Sequence, residues 1–222
     1  MADFTAGQDT KQKIYDTARR LFYQRGYLKT TLAAISQESG INSAMVSYYF
    51  DSKANLALAV FAEYMQDTKN LVGELLPSVS ERSDLMFQTA VEVRVHVKNM
   101  QSFYQLGRFL HELNQTSFYL KRESITTEFF ERLSSAYDLN ISYDKVCGIT
   151  VTNYAIMASL IAARYEGVLD LTNADLARII VTQYAHALGF SDAEIKDLID
   201  SSYDAFRKMS IHVGDNFTLI SG

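Results

Sequence analysis

The fold of this chain is decided by residues 31–50, which read TLAAISQESGINSAMVSYYF. A threonine hydroxyl can cap the free N–H groups of a first helical turn, so a short helix is predicted to start at Thr31. Gly40 is placed to end it, where the backbone needs a positive φ. A second helix is predicted to start at Asn42 or Ser43, because both are good caps. Two short helices joined by a tight turn form a helix-turn-helix, which presents its second helix to the major groove of DNA.

Inward and outward positions of this segment differ in character. The apolar residues Ile35, Ile41 and Val46 are expected to face inward and fix the angle between the helices. Phe50 is expected to be mostly core, and Tyr48 is assigned equally to the core or to DNA, since an aromatic side chain in a small domain usually packs. The side chains left pointing outward on the second helix are Asn42, Ser43, Met45 and Tyr49.

The rest of the chain has few helix breakers. One proline and ten glycines interrupt 222 residues, whereas an all-β chain needs many turn residues. Residues 91–98 alternate apolar and polar positions as a strand does, but helical spacing extends past them in both directions, so a helix is favoured. Helices are predicted at about 10–24, 53–76, 83–99, 101–114, 118–139, 142–165, 172–188 and 191–210.

The predicted fold class is all-α, with a three-helix DNA-binding domain at residues 1–53 and a larger helical domain at residues 54–222. The net charge of −5 is uneven: residues 1–55 carry seven Lys or Arg against five Asp or Glu, and the remainder carries −7. A mildly basic head on an acidic body is the sign expected for DNA binding by the head.

Several classes of protein are disfavoured. No run approaches the ~20 apolar residues of a membrane span, and the N-terminus has no apolar stretch of signal-peptide type. The lone Cys147 fits a reducing cytoplasm. No phosphate-binding or nucleophile motif suggests an enzyme. His96 and His111 are expected to be surface or satisfied core residues, because no second metal ligand follows at helical spacing; no metal or cofactor is predicted.

The ordered features of residues 10–56 resemble the tetracycline-repressor (TetR) family of transcriptional regulators. They are the arginine-bearing first helix ending at Gly26-Tyr27, the Thr30-Thr31 pair, the Ile35…Gly40-Ile41 turn, and Tyr48-Tyr49-Phe50 followed by Ser52-Lys53 and Leu56. The resemblance covers about the first quarter of the chain. It implies phosphate contacts by Thr31, Ser47, Tyr48 and Lys53. It implies base contacts by Asn42, Ser43, Met45 and Tyr49.

The helix at 142–165 carries a row of small side chains at 4-3-4-3 spacing, which permits close approach of another helix. Packing within one subunit and packing between two subunits both explain such a row. The resemblance implies the second, a dimer interface in which this helix and the helix at 172–188 form a four-helix bundle with their mates. The residues of the row are Gly148, Thr152, Ala155, Ser159 and Ala162.

The middle helices are rich in aromatic residues, most of which are expected to be core. A buried tyrosine needs a hydrogen-bond partner, so Tyr104 or Tyr119 is a candidate to orient a ligand. A small effector, partly aromatic or lipophilic, is expected between the helices at 83–139 and the first part of 142–165. The candidate lining residues are Phe103, Tyr104, His111 and Tyr119.

The resulting hypothesis is a cytoplasmic, homodimeric regulator that binds an inverted repeat in double-stranded DNA. The resemblance implies repression relieved by a small-molecule effector, which favours a spacing of the two heads that no longer matches the operator. An activator of the same fold, and a helical small-molecule-binding protein without specific DNA binding, are the alternatives. No membrane partner is expected.

Overall fold

The computed structural model describes residues 2–116, 131–132, 134–138 and 141–222, and for residues 2–6 the backbone alone. The helices are α1 (Ala2–Arg25), α2 (Leu32–Ser39), α3 (Ser43–Phe50), α4 (Lys53–Leu75), α5 (Leu85–Ser102), α6 (Tyr104–Asn114), α7 (Tyr143–Tyr165), α8 (Asn173–Ala187) and α9 (Asp192–Phe206). The antiparallel strands β1 (Ile211–Val213) and β2 (Leu219–Ser221) follow. The predicted all-α fold class is confirmed, with this short hairpin as an addition.

The helix boundaries of the head arise from local capping, as predicted. The Thr31 hydroxyl accepts a hydrogen bond from Ala34 N at 3.1 Å, and Gly40 adopts a φ of 69° after α2. The Asn42 side-chain oxygen accepts from Ala44 N at 2.8 Å and so caps α3. These side chains satisfy backbone donors that a helix start leaves free.

The core of the head continues into the body. Ile14, Ala18, Leu21 and Phe22 of α1 are fully buried, as their spacing predicts. The ring of Phe22 lies 5.4 Å from that of Phe109 in α6. A head helix and a body helix therefore share one apolar contact.

The central helix of the body is α5, which packs against α4, α6, α8 and α9. The helix favoured over residues 91–98 is confirmed. Val91, Val93, Val95 and Val97 are all buried, because a helix surrounded on most sides buries residues at nearly every angle. Their alternation therefore reflects burial around the helix and not a strand.

Two predicted boundaries need correction. α1 begins at Ala2 rather than near residue 10, since the first residues continue the helix through Gly7. The helix predicted at 191–210 ends at Phe206, and the hairpin follows. Most of the helix predicted at 118–139 lies outside the described residues, although 131–132 and 134–136 are helical.

One described helix, α7, is long and apolar enough to cross a membrane by length and composition alone. About 44% of its most apolar window is buried inside the protein. A single such helix is weak evidence for a membrane span, because core helices of globular proteins have the same composition.

Candidate DNA-binding site

The outer face of α3 is exposed along its length. Val46 is fully buried and anchors the helix on the head, as the sequence predicts. Around it, the predicted contact residues Asn42, Ser43, Met45, Ser47 and Tyr48 are exposed. Thr31, at the start of α2, is exposed as well. The structure therefore brings these predicted residues to one accessible surface.

The aromatic residues at the end of α3 have different surroundings. Tyr48 is 79% exposed, so its assignment to the core is wrong. Tyr49 is half-buried, packs edge-on against Tyr48 at 5.2 Å, and places its hydroxyl against Gly7 of α1. Phe50 is also only half-buried, because it lies at the rim of the core.

Most cations of the head are held by other protein groups. Glu38 binds Arg20 at 2.7 Å and Arg25 at 2.5 Å, and the hydrogen bond from Arg20 contributes most to lowering the pKa of Glu38. Arg19 binds Glu63 of α4 at 3.1 Å. Their charge is therefore partly neutralised before any DNA arrives.

Lys53, a predicted phosphate contact, is turned inward. Its ammonium donates to the Tyr27 carbonyl at 3.0 Å and lies 4.1 Å from the centre of the Tyr27 ring. Partial burial lowers the pKa of Lys53, while Glu112 opposes that shift. A phosphate contact by Lys53 requires that this hydrogen bond be shared or replaced.

Lys11 is the functional candidate that the sequence reasoning did not single out. It is exposed on α1, and its ammonium lies 5.7 Å from the centre of the Phe50 ring, at the end of α3. Lys11, Lys13 and Lys29 form no ion pair within the part of the chain that the structure describes. Lys11 sits beside the end of α3, a position visible only after folding.

The small-residue row of α7 lies on its outer face. Gly148, Thr152 and Ser159 are exposed, and Ala155 and Ala162 are half-buried. The opposite face of α7 carries its buried residues, among them Val146, Met157 and Ile161. A Cβ added at Gly148 would meet no described atom within 4 Å. In the part of the chain that the structure describes, Gly148, Thr152 and Ser159 are therefore open to a partner.

The predicted effector residues do not form one enclosed group. Tyr104 is 63% exposed, since it begins α6 at the surface, so the expectation that it is buried is wrong. The His111 ring stacks on Tyr165 of α7 at 4.5 Å. Phe103 is half-buried between α5 and α6, and Tyr119 lies outside the described residues.

His96 differs from the satisfied core residue that was expected. It is 3% exposed, and neither ring nitrogen has a hydrogen-bond partner among the described residues. Its ring lies between 5.5 and 6.0 Å from those of Tyr64 and Phe61 on α4. The fully buried Asn99, one turn later, also leaves its side-chain oxygen without a partner in the part of the chain that the structure describes. Unpaired polar atoms therefore occur on the α4-facing side of α5.

An open groove of about 440 Å³ lies elsewhere, between α1, α4 and the hairpin. Its lining includes Arg19, Asp67, Leu71, Thr218 and Leu219. None of the predicted effector residues contributes to it.

Comparison with known proteins finds a family match in the head of the chain. Residues 14–60 match the family model described as bacterial regulatory proteins, tetR family. The head of the chain is therefore similar to the tetR family of regulatory proteins. The matched segment contains α2, α3 and the start of α4, and so includes every predicted DNA-contact residue. The named relatives are transcriptional regulators and not enzymes.

The curated relatives resemble this chain over part of its length. The probable regulator YttP of Bacillus subtilis is 27% identical over 120 residues, which is 53% of this chain and 56% of YttP. The regulator TtgR of Pseudomonas putida is 38% identical over 53 residues, or 24% of this chain and 25% of TtgR. The chain thus aligns with between a quarter and about half of the length of these relatives.

The fold over most of the chain is similar to that of solved structures. RolR in complex with the ligand resorcinol has a TM-score of 0.58 and 15% sequence identity, over 88% of this chain and 95% of RolR. RolR without ligand has a TM-score of 0.52 and 16% identity, over 85% and 96% of the two chains. At this identity the likeness concerns the fold alone.

Proposed function

We propose that this protein is a ligand-responsive repressor of the cytoplasm that binds an inverted-repeat operator as a homodimer and is released by a small, largely apolar effector. The observation that carries the proposal is the exposed outer face of α3, on which polar and aromatic side chains surround the buried anchor Val46. A helix held in this way can enter the major groove and place side chains on base edges.

The test of this function is selection of DNA from random duplexes by the full-length protein. Two identical heads related by a two-fold axis should enrich an inverted repeat whose half-sites lie about one helical turn, ~34–36 Å, or a multiple apart. Affinity should fall steeply with added salt, because phosphate contacts release counterions. Retention of DNA without any enriched motif would contradict sequence-specific binding.

Replacing Asn42 by serine is expected to change base preference without weakening α3. Serine caps a helix about as well as asparagine, but it lacks the side-chain amide that can read an adenine edge. The expected loss is ~1–3 kcal/mol at the preferred base, measured by competition between operator variants. An unchanged preference would remove Asn42 from the base contacts. Asn42→Ala, which also removes the cap, serves as the comparison that shows the cost of capping.

Replacing Lys11 by alanine is expected to weaken binding to every sequence alike. Lys11 is exposed beside the end of α3, and each lost phosphate contact should flatten the plot of log affinity against log salt by about one unit. The salt dependence of operator binding measures this effect. Lys196→Ala on α9 is the control, because that exposed lysine is paired with Asp200. Equal slopes for both variants and the wild type would exclude Lys11.

The outer face of α7 supports the homodimer. This face exposes the small side chains of Gly148, Thr152 and Ser159, and α7 packs against α8 within the subunit. Small side chains at helical spacing allow another helix to approach closely. A second copy related by a two-fold axis would cover the same face on both subunits.

Helix α6 is suited to connect an effector site in the body with the head. Glu112 accepts a hydrogen bond from Leu28 N at 2.7 Å, and Arg108 donates to the Tyr23 carbonyl at 3.0 Å. His111, on the same helix, stacks on Tyr165 of α7. A shift of α6 on effector binding would therefore move the end of α1 and change the spacing of the two heads.

The unpaired polar atoms of His96 and Asn99 support an effector site between α4 and α5, beside the region predicted from the sequence. Buried polar groups in folded proteins almost always have partners, and the aromatic rings around His96 suit a largely apolar molecule. A thermal-shift screen of lipophilic phenols should find a compound that raises the melting temperature and releases the selected operator. A compound that stabilises the protein but leaves operator binding unaltered would support the site and refute the switch.

A further inference from the structure

The C-terminal hairpin contacts the head as well as the body. Phe217, in the turn between β1 and β2, is 1% exposed. Its ring meets Tyr23 of α1 edge-on at 5.4 Å and stacks on Phe109 of α6 at 5.0 Å. One side chain therefore fills the space between a helix of the head and a helix of the body.

Hydrogen bonds attach the same turn to α1. The Arg19 guanidinium donates to the Asn216 carbonyl at 2.6 Å, and the Tyr23 hydroxyl donates to the Asp215 carboxylate at 3.1 Å. On the other side, Lys98 of α5 donates to the carbonyl of Ile211 in β1 at 3.1 Å. The hairpin is therefore bonded to α5, the central helix of the body, through β1, and its turn contacts the head.

The backbone of this turn is strained. Asn216 and Phe217 are consecutive non-glycine residues with φ values of 53° and 63°. Asparagine tolerates this region, but a bulky aromatic residue rarely adopts it. Such a conformation persists only where the surrounding structure holds it, and these conformations cluster at functional positions. The contacts that hold it here are those to α1 and α6.

We propose that Asn216 and Phe217 are positioning residues, which fix the orientation of the DNA-binding head relative to the helical body. A dimer reads one half-site spacing only when each head is held at a defined angle. That consequence for DNA rests on the proposed function, whereas the positioning itself is a property of the subunit.

The test measures the distance between head and body in the full-length protein without DNA. Spin labels are attached at Lys29→Cys, in the head, and Lys196→Cys, on α9, with Cys147→Ser to prevent a third label. Labelled protein is diluted with unlabelled protein, so that distances arise within one subunit. Phe217→Ala is expected to replace the single narrow distance peak by a broad or second peak, with the helical circular-dichroism signal retained.

The control is Ile220→Ala, in the same hairpin. Ile220 is 53% exposed, and its substitution should leave the peak unchanged. If Phe217→Ala loses its helical signal, Tyr23→Phe replaces it as the test variant. This substitution removes only the hydroxyl that binds Asp215, and it should also broaden the distance peak. A peak as narrow as that of the wild type in the folded variant would overturn the proposal.

DNA selection then separates the two proposals. Phe217→Ala should enrich the base motif of the wild type but accept a wider range of half-site spacings. If the wild type enriches no motif, the proposed function fails, and the distance measurement still decides the positioning role. If the wild type enriches a motif and Phe217→Ala keeps its single spacing, the positioning role is refuted.

Discussion

Replacing Ala155 by phenylalanine is expected to convert the dimer largely to monomer and to abolish tight operator binding. Ala155 lies half-buried in the small-residue row on the outer face of α7. A phenyl ring there would hold apart two helices that rely on close approach. Overpacking costs typically ~1–3 kcal/mol, and a two-fold interface contains the substitution twice. A monomer carries one head, so it also loses the joint binding of two half-sites.

Sedimentation of the wild type and the variant measures this change, and circular dichroism verifies that the helices remain. Ala193→Phe is the matched control, because Ala193 is an exposed alanine on α9 outside the row. It should sediment as the wild type does. A dimer that persists in Ala155→Phe would place the interface on another surface of the subunit.

The head was predictable because its determinants are local. Thr31, Gly40 and Asn42 act within four residues of their own position, so their types suffice to locate the ends of α2 and α3. The buried stripe of α1 follows from spacing along a single helix. Exposure of the α3 outer face then follows from the burial of Val46.

The charge state of the head was less predictable, because it depends on pairs distant in sequence. Glu38 lies 18 residues from Arg20 and 13 from Arg25, and no local pattern joins them. Counting charges in residues 1–55 also misses the pair of Arg19 with Glu63, which lies outside that segment. The hydrogen bond from Lys53 to the Tyr27 carbonyl also joins residues distant in sequence, so no local pattern predicts it.

The sequence contains almost no pattern that predicts the hairpin. Each strand has three residues, too few to show an alternating pattern, and a strand of that length is stable only against other elements. Its existence depends on burial of Phe217 between α1 and α6. Unpaired His96 was likewise invisible, since helical spacing places a histidine in the core but does not say what faces it.

Replacing His96 by phenylalanine is expected to change how the free energy of unfolding depends on pH. Burial lowers the pKa of His96 from 6.5 to about 4. Between these values the unfolded chain binds a proton that the folded protein does not, so this residue makes the wild type less stable as the pH falls. The shift corresponds to a difference on the order of 3 kcal/mol. In the phenylalanine variant His96 no longer lowers the stability as the pH falls. The substitution also removes the two unpaired ring nitrogens.

Glu92, on the same helix, acts in the opposite direction. Burial raises its pKa from 4.5 to about 7, so the folded protein holds a proton more tightly there and becomes less stable as the pH rises. In the wild type the two effects oppose each other between about pH 4.5 and 6.5. Glu92→Gln should therefore lose stability towards acid, whereas His96→Phe should lose stability towards neutral pH.

Urea unfolding of both variants and the wild type at several pH values between 4.5 and 7 measures these slopes. His186→Gln is the control, because His186 is exposed on α8, and its curve should run parallel to that of the wild type. Opposite slopes in the two variants are the expected result, since each variant leaves the other residue's effect uncompensated. Parallel curves for His96→Phe and the wild type would mean that His96 has a polar partner or water access in solution. The ring nitrogens of His96 would then no longer support an effector site beside α4.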